Sequence, residues 1–99
     1  MLNIHKTVNA SELTVALEGR LDTITAPELE KELKESLDGM TELVIDMTAL
    51  EYISSAGLRV LLSAQKIMNN QGDMTVTGVN ATIMEIFEVT GFSDILNIK

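Results

Sequence analysis

The chain has 99 residues, 45% of them apolar, with a formal net charge of −8 and no cysteine, so we expect one compact domain over residues 1–99. An acidic surface repels nucleic acid and anionic lipid, and the lack of cysteine excludes disulfides, thiol catalysis and cysteine-rich zinc sites. The sequence shows neither a secretory signal nor an apolar run of about 20 residues, so a cytoplasmic protein without membrane insertion is expected.

Two strands are predicted at the start of the chain. The first covers residues 2–9 and leads into the turn-like residues NAS. The second begins at residue 12, alternates apolar and polar side chains, and is expected to end at Gly19. Because this alternation is typical of strands with one buried face, the two segments predict an antiparallel hairpin.

A one-sided surface helix is predicted next. Thr25 is interpreted as its N-cap, with Glu28 at the spacing of a capping box and Pro27 in the first turn, where the missing N–H is harmless. Gly39 is expected to stop the helix. An apolar stripe at four-residue spacing consists of Leu29, Leu33 and Leu37.

The remaining chain alternates between strands and helices. The predicted elements are a central strand at 42–47, a helix at 54–71, a strand at 73–80, a helix at 81–92, and an edge strand or docked tail at 94–99. Helices between successive strands favour parallel pairing with right-handed crossovers.

The helix predicted at 54–71 is apolar on almost two faces. One face carries Leu58, Leu61, Leu62 and Met68, and the adjoining face carries Val60, Ala64 and Ile67. Since a surface helix needs only one apolar stripe, this pattern indicates a deeply buried helix or a wide stripe. The alternative is that part of the second face docks another protein. Arg59 on this helix is either part of such an interface or an ordinary solvated residue.

Ser54 and Ser55 lie where an apolar run gives way to this helix. A serine at the N-cap accepts a hydrogen bond from a free backbone N–H and contributes about 1 kcal/mol. The positive end of the helix would also accommodate a phosphate on a first-turn serine, and the added charge would disfavour a docked partner. Gly57 is interpreted as keeping the surface beyond the serines low, for close approach.

Catalysis by these serines is not expected. The single histidine, His5, lies on the first strand and is more simply a surface residue than a general base. The residues ISSAG lack the first glycine of a nucleophile elbow. Asp22 and Asp46 follow apolar strand segments, and either lie near the serines at one end of the sheet or act as turn and cap residues. Neither a cofactor nor a metal is expected, and the protein is not predicted to be an enzyme.

The segments EGRLDTITAPELEKEL, ELVIDMTALEYISSAGLRVLL and NNQGDMTVTGVNATIMEIFEVTGFSDIL resemble the STAS domain of bacterial anti-sigma factor antagonists. The resemblance covers residues 3–98. The family pattern of aromatic, apolar, Asp, Ser, small, Gly and Leu falls on Tyr52 to Leu58, and VTGFSDIL is a second match. The resemblance implies an α/β fold, a STAS-like single domain with a mixed four- or five-stranded sheet and three or so helices mainly on one face.

The resemblance also implies a partner-switching function. In this family the unphosphorylated antagonist binds an anti-sigma factor that is a GHKL-type serine kinase, and a sigma factor is thereby freed. The kinase phosphorylates the serine at the helix start, which weakens binding, and a PP2C-type phosphatase restores the antagonist. The ATP and the metal belong to those partners.

By the same resemblance the phosphoacceptor is Ser55, and Ser54, which stands where many members have Asp, is a minor candidate. Asp22 matches an acidic position of the family and would shape the surface that the kinase reads. The implied partner-binding residues are Asp22, Ser54, Ser55, Ala56, Gly57, Leu58 and Arg59. The alternative is a STAS module that is never phosphorylated, either a constitutive adaptor or a small subunit of a transport or signalling complex.

Overall fold

The computed structural model describes all 99 residues, Met1–Lys99, and confirms the predicted order of strands and helices. A short 3-10 turn at Phe92–Asp94 follows the last helix. The elements are β1 (Leu2–Asn9), β2 (Glu12–Leu21), α1 (Ala26–Ser36), β3 (Glu42–Ile53), α2 (Ser55–Asn69), β4 (Asp73–Thr77) and α3 (Ala81–Thr90).

The strands form one mixed sheet in the order β1-β2-β3-β4. β1 and β2 pair antiparallel as the predicted hairpin, whereas β2, β3 and β4 run parallel and are joined by the crossover helices α1 and α2. The C-terminal segment adds a single parallel bridge between Ile98 and Val76 at the edge of β4. Of the two predictions for this segment, an edge strand or a docked tail, the docked tail is confirmed.

The core lies between the helices and one face of the sheet. Alternate side chains of β2 and β3 are buried there, and the residues between them are half-buried or exposed. All three helices contribute to the same buried cluster, including Leu29 of α1, Leu61 of α2 and Phe87 of α3. No helix of the chain combines the length and the apolar character needed to cross a membrane.

The two apolar faces of α2 are both used inside the domain. Leu61 and Met68 are buried toward the sheet, and Val60 and Ala64 are buried where α2 meets Leu33 of α1. The prediction of a deeply buried helix is therefore confirmed. The alternative, in which the second face docks another protein, is wrong because α1 already covers that face.

Two predicted strand ends are wrong. β2 does not stop at Gly19 but bends there, at φ +105°, and continues to Leu21. β3 continues from the predicted end at residue 47 to Ile53, because bulges let the strand resume its pairing with β2. Asp46 consequently lies in the middle of β3, opposite Ala16, and not at the end of the sheet that carries the serines.

Candidate functional site

The site is built where β2 and β3 end side by side. Leu21 and Ile53 are paired neighbours, and the Ser54 N–H donates to the Leu21 carbonyl over 2.9 Å. Because the carboxyl ends of parallel strands lie at one edge of a sheet, the loop after β2 and the start of α2 emerge together. The structure thereby brings Asp22 to the same end as Ser54 and Ser55.

Ser54 caps α2, as the sequence predicts. Its backbone is extended (φ −99°, ψ 176°), and its Oγ accepts a long hydrogen bond of 3.4 Å from the Gly57 N–H. Its carbonyl accepts from the Leu58 N–H at 3.0 Å and so begins the helical ladder. The half-buried Ser54 is thus tied both to the helix and to the end of β2.

Ser55 is the first residue of α2 and is exposed. Unlike the Ser54 hydroxyl, the Ser55 hydroxyl takes no part in the helix cap. The first turn of α2 contains no acidic residue, so no carboxylate of that turn offsets the positive end of the helix dipole. An anion attached at Ser55 would meet a favourable local field there.

Gly57 and Leu58 face the interior. A Cβ on Gly57 would lie 2.7 Å from Leu21 Cγ and 2.8 Å from Ile53 Cγ1, and Leu58 is only 6% exposed. The prediction that Gly57 keeps the outer surface low is therefore wrong. Its missing side chain does permit a close approach, but that approach is the packing of α2 on the strand ends. Of the neighbouring residues, Ala56 is half-buried and Arg59 is exposed, so these two are accessible from outside.

Asp22 holds the loop between β2 and α1 in a tight turn. One carboxylate oxygen, Oδ1, accepts the N–H groups of Ile24 and Thr25, both at 3.0 Å. The buried Thr25 hydroxyl donates to the Arg20 carbonyl at 2.8 Å and accepts from the Asp22 N–H at 2.9 Å.

The predicted capping box is wrong, because this hydroxyl bonds back to β2 and leaves α1 without a side-chain cap.

These hydrogen bonds also fix the charge of the turn. The Thr25 N–H, assisted by the Ile24 N–H and the Thr25 hydroxyl, holds the pKa of Asp22 below its ordinary value of 3.8, although burial opposes the shift. The carboxylate is therefore ionised at neutral pH, with one oxygen committed to the turn. Asp22 acts as the turn residue that the sequence suggested, at the end of the sheet that carries the serines.

A shallow cavity of about 180 Å³ separates the starts of α1 and α2. Glu30 and Arg59 are its charged residues, and Glu30 is paired with Lys34 at 3.5 Å, whereas Arg59 has no ion pair and no side-chain hydrogen bond within the chain. The lining residues are Thr23, Ala26, Pro27, Glu30, Ala56, Arg59 and Val60.

Ile24 is an exposed apolar residue at this end of the domain that the sequence reasoning missed. Its side chain projects from the turn held by Asp22 and is 83% exposed. An apolar residue between two threonines in a turn, TIT, was the available signal, because turns normally carry polar residues.

His5 and Asp46 lie elsewhere. With Glu18 and Thr48 they line a second cavity, of about 260 Å³, on the face of the sheet opposite the helices. His5 Nε2 is 4.0 Å from Glu18 Oε1, and the Thr48 hydroxyl and N–H lower the pKa of Asp46 below its ordinary value. The suggestion that Asp46 lies beside the serines is wrong, since β3 carries it into the middle of the sheet.

Comparison with known proteins identifies the family. A model of the STAS domain matches residues 2–99. The anti-sigma-B factor antagonist of Staphylococcus aureus is 31% identical over 100 residues, which cover 99% of this chain and 93% of that protein. The BtrV protein of Bordetella bronchiseptica, whose name places it with the anti-sigma factor antagonists, is 39% identical over 85 residues, covering 84% of this chain and 73% of that protein.

Solved structures share the fold. An anti-sigma factor antagonist from Mycobacterium paratuberculosis superposes with a TM-score of 0.89 at 22% identity, covering 99% of this chain and 85% of that one. The phosphorylated form of the Bacillus protein SpoIIAA gives a TM-score of 0.76 at 14% identity, covering 100% and 91%. These matches confirm the resemblance stated from the sequence motifs: the chain belongs to the STAS domain family, among its anti-sigma factor antagonists.

Proposed function

We propose that this protein is a phosphorylation-controlled anti-sigma factor antagonist. In its unphosphorylated form it binds an anti-sigma factor that is a GHKL-type serine kinase, and phosphorylation of Ser55 releases it. A PP2C-type phosphatase reverses the modification, and the exchange takes place in the cytoplasm. The observation that carries the proposal is the exposed Ser55 at the first position of α2, beside a neighbouring serine whose oxygen caps the helix.

The two serines differ in their availability to a kinase. Transfer requires the serine oxygen to attack the γ-phosphoryl group of ATP, so that an O–P bond forms, ADP leaves and the hydroxyl proton passes to a base of the kinase. Ser54 Oγ already accepts from the Gly57 N–H and is half-buried. Ser55 Oγ is exposed and uncommitted, which favours it as the acceptor.

The position of Ser55 also supports control of binding by a single modification. A phosphate adds about −1.5 to −2 charges at neutral pH, and a helix N-terminus tolerates that charge. The surface that receives it includes Ala56 and the free Arg59 at the rim of the cavity. A partner seated on this surface would meet new charge and bulk, so binding weakens although the domain stays folded.

Phosphorylation and binding assays with the cognate kinase test this function. Incubation with kinase and ATP is expected to add one phosphate, located at Ser55 by peptide mass spectrometry. Ser55→Ala should bind the kinase and resist modification, Ser55→Asp should bind more weakly, and Ser54→Ala, the matched control, should still be modified at Ser55. Equal binding by Ser55→Ala and Ser55→Asp would refute the switch.

A constitutive STAS interaction module is the second candidate. It is favoured by Ser54, which replaces the Asp found in many family members directly before the acceptor serine. Such a module would serve as an adaptor or as a small subunit of a transport or signalling complex. Protein isolated from its native cell would then carry no phosphate at Ser55 and would co-purify with a transport subunit and not with a kinase.

A further inference from the structure

We propose that Ile24 is the apolar anchor of the partner interface beside Ser55, and that it seats in an apolar pocket of the anti-sigma factor. The identity of the partner rests on the proposed function. The assignment of Ile24 rests on its own exposure, its rigid turn and its surroundings.

The exposure of Ile24 is the first observation. Only five large apolar side chains of the chain are exposed, and Ile24 is 83% accessible. It lies in the turn three residues after the end of β2, where Leu21 pairs with Ile53, the residue that precedes Ser54. An aliphatic side chain held in water at the end of the domain that carries the phosphoacceptor is the type of residue that becomes buried at an interface.

The rigidity of the turn is the second observation. The Ile24 N–H is bound by the Asp22 carboxylate, and the next residue, Thr25, is buried and bonded to Arg20. The backbone that carries Ile24 is therefore ordered before any partner arrives. Little conformational entropy remains to be lost on docking, which raises the affinity gained from each buried side chain.

The surroundings of Ile24 define the partner surface. The adjacent Thr23 lines the cavity whose walls include Ala26, Pro27 and Ala56, and Arg59 is the unpaired cation at its rim. The complementary surface is an apolar pocket for Ile24 with a carboxylate opposite Arg59. Arg59 and Ser55 are four residues apart on α2 and share one helix face, so a phosphate on Ser55 would compete with that carboxylate.

Binding of purified variants to the GHKL-type anti-sigma kinases of the same genome tests the anchor. Ile24→Ala is expected to raise Kd by about tenfold to 100-fold, the range for removing most of a buried aliphatic side chain. Val89→Ala is the matched control, because Val89 is 81% exposed on α3, and its Kd should stay within twofold of the wild type. Thermal unfolding of both variants checks that the fold is unchanged.

Phosphorylation kinetics supply an independent measurement. An anchor that contributes equally to the bound state and to the transition state changes KM for the antagonist and leaves kcat unchanged. Ile24→Ala should therefore show a raised KM at the same kcat, with the phosphate still on Ser55. A Kd within twofold of wild type, or an equal loss in Val89→Ala, overturns the anchor while the proposed function stands. Failure of the wild-type protein to bind any of these kinases overturns both.

Discussion

Ser54 and Ser55 are chemically identical neighbours, yet the fold places their hydroxyl groups in different environments. The extended backbone of Ser54 turns its oxygen toward the Gly57 N–H, whereas Ser55 is already helical and points outward. A single residue step therefore separates a group used for stability from a group left free for modification.

Substitution of the cap measures the first of these tasks. Ser54→Ala removes the acceptor for the Gly57 N–H and should lower the free energy of unfolding by about 0.5–1 kcal/mol, at the low end for N-caps because the bond is long. Ser55→Ala should leave stability within about 0.5 kcal/mol of wild type. Urea unfolding with an unchanged m-value gives both numbers, and equal losses in the two variants would contradict the division of roles.

Gly57 gives the second prediction at this scale. Gly57→Ala gains up to about 1 kcal/mol of helix propensity but drives a methyl group into Leu21 and Ile53, with contacts of 2.7 and 2.8 Å. Overpacking of this kind costs about 1–3 kcal/mol, so the variant should be less stable than wild type. Leu21→Ala made in the Gly57→Ala background tests the cause, since a double-mutant cycle should show that the two losses partly cancel. Strict additivity would point to another origin.

The inward orientation of Gly57 could have been predicted from the sequence. Gly57, Leu61 and Met68 recur at the spacing of one buried helix stripe, which assigns the glycine to the core face. The cap at Ser54 was predictable because a polar residue directly precedes the helical periodicity. Whether an exposed serine or its neighbour receives a phosphate depends on a partner, so the sequence of this chain alone can support Ser55 only through family resemblance.

Among the elements, the loop between β2 and α1 connects stability to pH. The pKa of Asp22 is lowered in the folded state, so its hydrogen bonds stabilise the domain above the ordinary pKa of 3.8, and this contribution disappears as the pH falls through the lowered folded value. Asp22→Asn removes that titration. The variant should be less stable than wild type at neutral pH, and its stability should fall less steeply below about pH 4.

Urea unfolding at a series of pH values checks the sign and the window of this effect. Asp46→Asn is the companion variant, because the Thr48 hydroxyl and N–H also lower the pKa of Asp46, which lies in the middle of β3 and away from the end of the sheet that carries Ser55. In both variants the free energy of unfolding should fall less steeply with decreasing pH than in the wild type. Only Asp22→Asn should also weaken partner binding, because it loosens the turn that carries Ile24. An unchanged acid limb in Asp22→Asn would contradict the assigned hydrogen bonds.

Element order and strand direction followed from periodicity, whereas strand length did not. In β3 the buried residues Met47, Leu50 and Ile53 are three apart, because bulges insert extra residues against β2. That spacing breaks the two-residue alternation by which strands are recognised, so the second half of β3 looked like a loop. Because the predicted β3 ended at residue 47, Asp46 was placed at the end of the strand, whereas the two bulges beyond it carry the strand on to Ile53 and leave Asp46 in the middle of the sheet.

At the scale of the whole molecule, one core connects the sheet and the three helices, and the first residue of α2 lies outside it. α2 is buried on both apolar faces, by the sheet and by α1, and presents Ser55 only at its first residue. A charge placed there changes the surface without opening the core. Partner release and domain unfolding should therefore be separable. The sequence alone could not predict this, because it does not show that α1 covers the second apolar face of α2.

A pair of charge variants on α2 tests that separation. Ser55→Asp places a carboxylate at the positive end of the helix and should raise the free energy of unfolding by about 0.3–1 kcal/mol, while binding to the kinase weakens. Asn69→Asp places the same charge on the exposed last residue of the helix, near the negative end, and should lower stability by a similar amount without affecting binding.

Both variants change the net charge of −8 by the same single unit, so a general effect of acidity would move their stabilities in one direction. Opposite shifts in urea unfolding at low ionic strength, which shrink as salt is added, are the expected signature of the helix dipole. If Ser55→Asp instead lost stability in parallel with its loss of binding, the modification would act by loosening α2 from the sheet. Since Leu58 and Leu61 pack next to this helix end in the core, that loosening would also appear as faster amide exchange along β3.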